Sequence, residues 1–482
     1  MHRSTLVLAL VAFAALPSAA CSRPSSGGVA GGEAGPPAQA EGPAKALRDA
    51  TLAGSQAYET VRSLTDETGP RLAGSPGGAL AVAWGLRTLT AAGLTRVHTE
   101  PVTAPRWERG AEHGELVAPR REPLALAALG GSVGTPPEGI EAEIVEMSSL
   151  EAIDKADPAA IKGKIVFFHV IMERTRDGAG YGRAVGVRGQ GAIRAARLGA
   201  VGVVIRSIGT DENRLPHTGA MRYADDVPRI PAAALATPDA DMLHRLLAGG
   251  QPARLRMVLS AQTLPDTETA NVVGEVEGSG APGEIVLLGA HLDSWDLGRG
   301  ALDDGAGCAV VIEAGRQLAR LAGKPRRTVR VVLFANEENG LAGAKAYGEA
   351  HHAELGRHAL AMEADLGAGR VYEARILGGP GAAQAFGPVV AAVAPLGVAL
   401  STSPAEGGAD LIPLVAAGVP VLDLRQDASL YFDVHHTAND TLERVRKEDL
   451  DQVAAAYAAA AYAAADVSGD FGRIPEDQRK RR

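Results

Sequence analysis

The sequence predicts an α/β protein built on a largely parallel sheet, and three features of its 482 residues carry that prediction. The runs at 285–290 (IVLLGA) and 331–335 (VVLFA) are short, continuous and apolar, as expected of strands buried on both faces. Between them, Cys308, Val311, Ile312, Gly315, Leu318, Ala319 and Ala322 recur at helical spacing, which completes a βαβ unit. Further apolar runs at 358–364 (HALAMEA) and 419–424 (VPVLDL) extend the sheet, and the alanine run at 454–465 predicts a closing helix.

Taken from its start, the chain first reads as exported. His2 and Arg3 begin a basic stretch, an apolar run covers 6–16, and Ser18, Ala19 and Ala20 are small, as in a secretory signal. The run is too short to span a bilayer. Cys21 follows at the position of a lipidated lipoprotein cysteine, although Ser18 stands where such sites usually carry leucine. The predicted protein is therefore a periplasmic or outer-membrane lipoprotein, or a secreted one if cleavage leaves no lipid. Residues 22–44 hold Gly, Pro, Ala and Ser with almost nothing to bury, so a disordered linker is expected. Residues 45–115 read as the first part of the main domain.

Residues 116–265 differ. GKIVFFHV, a helix near Ile193–Leu198 and AVGVVI suggest a smaller inserted α/β domain without the clustered carboxylates and histidines found downstream. A break at TLPD (263–266) returns the chain to the main domain, 266–466. The polar segment 467–482 reads as a frayed tail.

Composition narrows the function. Asp and Glu outnumber Lys and Arg by 57 to 48, and no basic stripe is present, so nucleic acid is not the expected partner. Two cysteines, Cys21 and Cys308, make no disulfide framework, and Cys308 reads as a small buried hydrophobe.

The chemistry lies in four segments that follow the strands: GAHLDSWDLGRGALDDGAG (289–307), NEENG (336–340), Asp365, and HHTANDT (435–441). In open α/β sheets the site forms outside the carboxyl ends of the strands, so distant segments converge on one crevice. His291, Asp303, Glu338, Asp365 and His436 supply five oxygen and nitrogen donors of the kinds zinc accepts. Five exceed the needs of one tetrahedral ion with an open position and suit two ions sharing a carboxylate. Asp293, two residues beyond His291, is placed to accept the other imidazole N–H. Glu337 is the carboxylate left over, a candidate general base. Any one of these residues alone would read as a capping or turn residue, and the Glu337–Glu338 pair as a solvated face; the joint pattern carries the inference.

These motifs (H-x-D at 291–293, D-D-G-A-G at 303–307, E-E at 337–338, Asp365 and a late histidine) resemble the M28 metallopeptidases. The resemblance implies a phosphorylase/hydrolase-like α/β fold and two zinc ions. Asp303 would bridge, His291 and Asp365 would hold one ion, Glu338 and His436 the other, and Glu337 would be the base. His436 is preferred to His435 because the family's ligand histidine precedes an acid by four positions, matching Asp440. A cis peptide between Asp303 and Asp304 is also implied. TGPRLAGS (68–75) matches the motif with which the family opens. TRVHTEPVTAPRWERG (95–110), IRSIGTDENRLPHTG (205–219) and VPRIPAAAL (227–235) resemble the plasma glutamate carboxypeptidase (carboxypeptidase Q) branch, which implies an inserted protease-associated domain and a homodimer. The insert would be a lid or dimer surface, with His217 structural and not a ligand. Where relatives place a tyrosine near the last ligand, this chain has His435 and Tyr431, either of which is expected to assist the oxyanion. Asp410 fits equally beside substrate or as a helix cap.

The expected activity is hydrolysis of dipeptides or short unblocked peptides by metal-activated water. Two alternatives stand beside it: single-zinc acyl transfer of the glutaminyl-cyclase kind, and a non-catalytic binding lipoprotein. Both would require an incomplete ligand set.

Overall fold

A computed structural model describes residues 41–281 and 283–479. The signal, Cys21 and nearly all of the linker lie outside the described residues. The chain is helical from Glu41, three residues before the expected end of the linker at residue 44, and Ala44 is already buried.

The main sheet has eight strands in the order Thr95–Glu108, Gln262–Val276, Thr328–Phe334, Ile285–His291, His358–Glu363, Val421–Gln426, Val371–Leu377 and Ala399–Leu400. The third to sixth of these run parallel, so their carboxyl ends share one edge. Both faces of that centre are covered. Val286, Leu288 and Ala290 pack with the helix Ala306–Ala319 and the closing helix Lys447–Asp466, while Leu287 points into a second cluster with Val332, Phe334 and Tyr347. This explains why the strand sequences are apolar without alternation.

The helix after the first βαβ strand stops at Ala319, and Ala322 is exposed in the turn that follows, where Gly323 and Pro325 break the periodic pattern. Nor is TLPD a break. It lies inside the strand Gln262–Val276, paired with Thr95–Glu108, and the register shifts where Pro105 and Pro265 would lack donors. Residues 467–479 are docked, not frayed: Phe471 and Ile474 are buried, and Arg473 donates to the carbonyls of Leu355, His358 and Ala417.

Between the first two strands of the main sheet the chain builds another eight-stranded sheet, from Glu112–Ala118 to Arg254–Leu259. Its core joins Leu116, Phe167, Val204 and Leu255. Among the described residues no helix is long and apolar enough to cross a membrane.

At the amino end of the main sheet, His358 is buried between Tyr347 Oη (2.9 Å from Nε2) and the Glu354 carbonyl (3.2 Å from Nδ1). Burial, aided by the nearby Arg330 charge, lowers its imidazole to about 4. The unfolded chain, titrating near 6.5, therefore takes up a proton that the native ring refuses. The stability this group provides is complete above about 6.5 and falls as pH drops toward 4, by about 3 kcal/mol in all. Thermal unfolding at pH 7.5 and pH 5 is expected to show a smaller acid-induced loss in His358→Gln than in the parent chain.

Candidate metal centre

The parallel strands deliver the chemistry to one edge. His291 is the last residue of its strand, Glu337 and Glu338 follow Phe334, Asp365 follows Glu363, and His435–His436 lie in the loop after Gln426. Asp303 comes from the kinked turn Ala301–Gly305, and the Asp303–Asp304 peptide is cis.

Asp303 stands between two pairs. Its Oδ1 lies 3.2 Å from His291 Nε2, which lies 3.5 Å from Asp365 Oδ1. Its Oδ2 lies 3.3 Å from His436 Nε2, which lies 3.0 Å from Glu338 Oε2. The five predicted donors thus meet in one cleft. His435 Nε2 also approaches Asp303 Oδ2, at 3.5 Å, and His435, His436 and Asp303 form a tight group of their own. His436 differs in meeting Glu338 as well, and it does so from a left-handed backbone (φ 62°) that a non-glycine residue adopts at a cost of about 1–3 kcal/mol.

The electrostatics are those of too many acids and too few bases. Burial would raise the Asp303 carboxyl, but the adjoining imidazoles of His291 and His436 outweigh it and hold the group well below the usual range. Glu338 is pushed up to about 7 by burial and by the charge of Asp303. Glu337 is pushed well above the carboxylate range by burial, reinforced by Glu338 and Asp365. Asp303 Oδ2 and Glu338 Oε1 are buried without a hydrogen-bond partner. Buried, unpaired oxygens of this kind are costly unless a proton or cation joins them.

One expected contact is made differently. The acceptor for His291 Nδ1 is the main-chain carbonyl of Asp293 at 3.1 Å, while the Asp293 carboxylate lies 3.8 Å away. That carboxylate instead accepts the Glu337 N–H at 3.0 Å, so Asp293 fixes the imidazole tautomer through its backbone and places Glu337 through its side chain. Asn336, just before Glu337, has φ 58°, and this sharp turn carries the two glutamates off the strand. Tyr431 is buried against His435 with ring centroids 5.0 Å apart, and its hydroxyl is raised by burial and by the charges of Asp303 and Asp365. Asp410 caps nothing. The helix Ile412–Ala416 has no side-chain cap, and both Asp410 oxygens are buried and unpartnered. A cleft of about 160 Å³ beside Asp365 is bounded by Glu363, Glu406, Gly408, Asp423 and Arg425.

Several residues escaped the sequence reading. Arg71, fully buried, donates to the carbonyls of Leu292 (2.6 Å), Arg299 (2.6 Å) and Gly300 (2.8 Å), which pins the loop leading from His291 to Asp303. TGPRLAGS therefore has a physical role, legible only once its distant partners are known. Asp304 accepts the N–H groups of His291 and Gly307, both at 3.0 Å, tying the strand end to the helix start. A Cβ at Gly307 would strike the Ala364 carbonyl at 1.9 Å, which accounts for that glycine. Asp440 accepts the N–H groups of Leu302 (2.7 Å) and Asp303 (3.1 Å), fixing the backbone of the central aspartate. The Cys308 thiol is not merely a packed hydrophobe; it donates to the His291 carbonyl at 3.0 Å.

The insert also gathers an acid–histidine group that no local pattern announced, because Glu146, His169 and His244 come from separate elements. The two rings stack face to face, with centroids 4.2 Å apart and planes 2° from parallel, so their in-plane lone pairs do not converge on one ion. Hydrogen bonds to Asp241 (2.9 Å) and Glu146 (2.8 Å) account for the arrangement.

A mixed α/β sheet with acids and imidazoles clustered at its carboxyl edge defines a class, the metallo-exopeptidases. The sequence profile of Peptidase family M28 matches residues 271–461. Mouse carboxypeptidase Q is 38% identical over 413 residues, covering 86% of each chain. Human carboxypeptidase Q is 36% identical over the same length. The crystal structure of a peptidase M28 precursor from Shewanella amazonensis, 44% identical, superposes with a TM-score of 0.88 over 90% of this chain and 99% of that one. A zinc aminopeptidase from Bacillus subtilis, 20% identical, shares the fold with a TM-score of 0.62 over 88% of this chain and 98% of its own. The chain belongs to peptidase family M28.

Proposed function

We propose that this peptidase removes terminal residues from dipeptides or short unblocked peptides, using two zinc ions held by His291, Asp303, Glu338, Asp365 and His436. The observation that carries the reading is the position of Asp303, whose two oxygens face separate histidine–carboxylate pairs. His291 and Asp365 would hold one ion, His436 and Glu338 the other, and Asp303 would bridge. The residues fit such ions, since they are hard or borderline donors, buried oxygens of Asp303 and Glu338 lack partners, and the histidines present cannot balance the acids.

Bound zinc would polarise the scissile carbonyl and ease deprotonation of the attacking water. Glu337 is the base: its backbone is held by Asp293, and its burial keeps the carboxyl able to retain a proton and pass it to the leaving amine. His435 lies beside Asp303 with Tyr431 packed against it, and one of these two is assigned to the developing oxyanion. The cleft beside Asp365 would take the substrate's terminal residue. The complete five-residue set favours neither the single-zinc acyl-transfer reading nor the non-catalytic one.

Within this reading, residues 1–21 direct export, Cys21 is the lipid anchor, the second sheet is the protease-associated insert, and the homodimer rests on the family resemblance. A panel of dipeptides, free or blocked at either end, tests the reading. Unblocked dipeptides are expected to be cleaved, chelation to stop cleavage and added zinc to restore it. Equal cleavage of peptides blocked at both ends would overturn the exopeptidase assignment.

A further inference from the structure

The insert reaches into the metal centre. Its loop 210–218, between the strands Gly202–Arg206 and Ala232–Leu235, lies along residues 432–436 and bonds to them repeatedly. The Thr210 N–H donates to the Phe432 carbonyl at 3.0 Å, and its hydroxyl donates to Asp433 Oδ1 at 2.7 Å. The Thr218 N–H donates to the His436 carbonyl at 3.1 Å, while the Thr218 carbonyl faces His436 Nδ1 at 3.2 Å. One residue thus fixes both the backbone and the ring of His436. The Thr218 carbonyl, nearer to Nδ1 than the Arg188 guanidinium at 3.4 Å, favours a hydrogen on Nδ1, which leaves Nε2 as the ring atom able to serve a metal beside Asp303 and Glu338.

Beneath that clamp lies His217, 1% exposed. Its Nδ1 is 2.7 Å from the His435 carbonyl and its Nε2 is 2.7 Å from Asp211 Oδ1. The His217 N–H donates to Ser207 Oγ at 2.8 Å, and Asp211 Oδ2 accepts the Asn213 N–H at 2.8 Å, so both members are anchored in the insert. Packing leaves no slack, since a Cβ on Gly209 would meet the His217 ring at 2.2 Å. The clamp itself is braced from below. Thr218 Oγ1 donates to the Ala128 carbonyl at 2.8 Å and accepts from Arg109, which grips Asp296 with two bonds of 2.7 Å.

We infer that the insert is a positioning element for the metal centre, with Asp211–His217 acting as the latch that holds the 435–436 loop so that His436 can serve the zinc it shares with Glu338. The inference rests on the two-zinc reading and deepens it, since it makes one ion depend on the insert and the other not. His291 and Asp365 come from the main sheet, and none of the described hydrogen bonds of His291 reaches the insert.

The test is zinc binding by the full chain in competition with a chromogenic chelator, for the parent and for His217→Gln and Asp211→Asn. Glutamine keeps a donor and much of the volume, and asparagine keeps the shape, so that at least one folded variant is available. Circular dichroism and thermal unfolding of the zinc-free proteins serve to identify folded variants. The expected result is that one of the two zinc affinities weakens by about 10- to 100-fold while the other is unchanged. The kcat would fall with little change in KM and recover with excess zinc. Two unchanged affinities in a folded variant, or equal weakening of both, would overturn the inference. A parent chain that binds fewer than two zinc ions would instead remove the two-zinc reading itself.

Discussion

Replacing Glu337 by glutamine is expected to lower kcat for dipeptide hydrolysis by about 10³-fold while zinc content stays at the parental level. The geometry separates base from ligand. Glu338 meets His436 at 3.0 Å within the cluster around Asp303, whereas Glu337 is placed by its backbone through the 3.0 Å bond to Asp293. Glutamine preserves the backbone and the shape, so the substitution removes proton transfer without removing a donor from the cage. The carboxyl it replaces is held well above the ordinary range by burial and by neighbouring acids, which favours its holding the proton between the attack of water and the departure of the amine. KM is expected to change little, since the interaction lost belongs to the transition state. A variant with parental kcat would remove Glu337 from the mechanism.

Asp303→Asn is expected to do more, lowering the affinity for both ions and reducing hydrolysis to background. Among the described residues Asp303 is the one side chain that faces both histidine–carboxylate pairs, and an amide presents neither the charge nor two equivalent oxygens. The loss reaches further than the ions. The imidazoles of His291 and His436 hold the Asp303 carboxyl low against burial, and in return Asp303 raises His291, and Glu338 together with Asp303 raises His436. Without it, two buried imidazoles lose a counter-charge and Glu338 and Asp365 lose a competitor for them. Zinc analysis by mass spectrometry beside dipeptide kinetics checks the expectation. Full occupancy with loss of only one histidine contact would show that Asp303 does not bridge.

The parts of the molecule readable in advance are those whose cause is local. Strands buried on both faces need continuous apolar runs, and 285–290 and 331–335 show them; the donor residues sit just past such runs because the crevice forms at strand ends. What escaped is long-range. Arg71 holds three carbonyls more than two hundred residues away, Asp440 fixes the backbone of Asp303, and His217 bonds to the carbonyl of His435; none leaves a spacing that a single sequence displays. The same reason explains the error over Asp293. Two residues from His291, its spacing suggests a side-chain acceptor, but the turn presents its carbonyl to the ring and its carboxylate to Glu337. TLPD misled because proline in a strand is ordinarily a stop, and here the bulge opposite Pro105 removes the need for its missing N–H.

Anomalous diffraction at the zinc edge from crystals grown with zinc addresses the central claim without relying on activity. Two peaks are expected, one within bonding distance of His291 and Asp365 and one of Glu338 and His436, with an Asp303 oxygen turned to each. A lone peak, or a pair that leaves Asp303 uncoordinated, would contradict it.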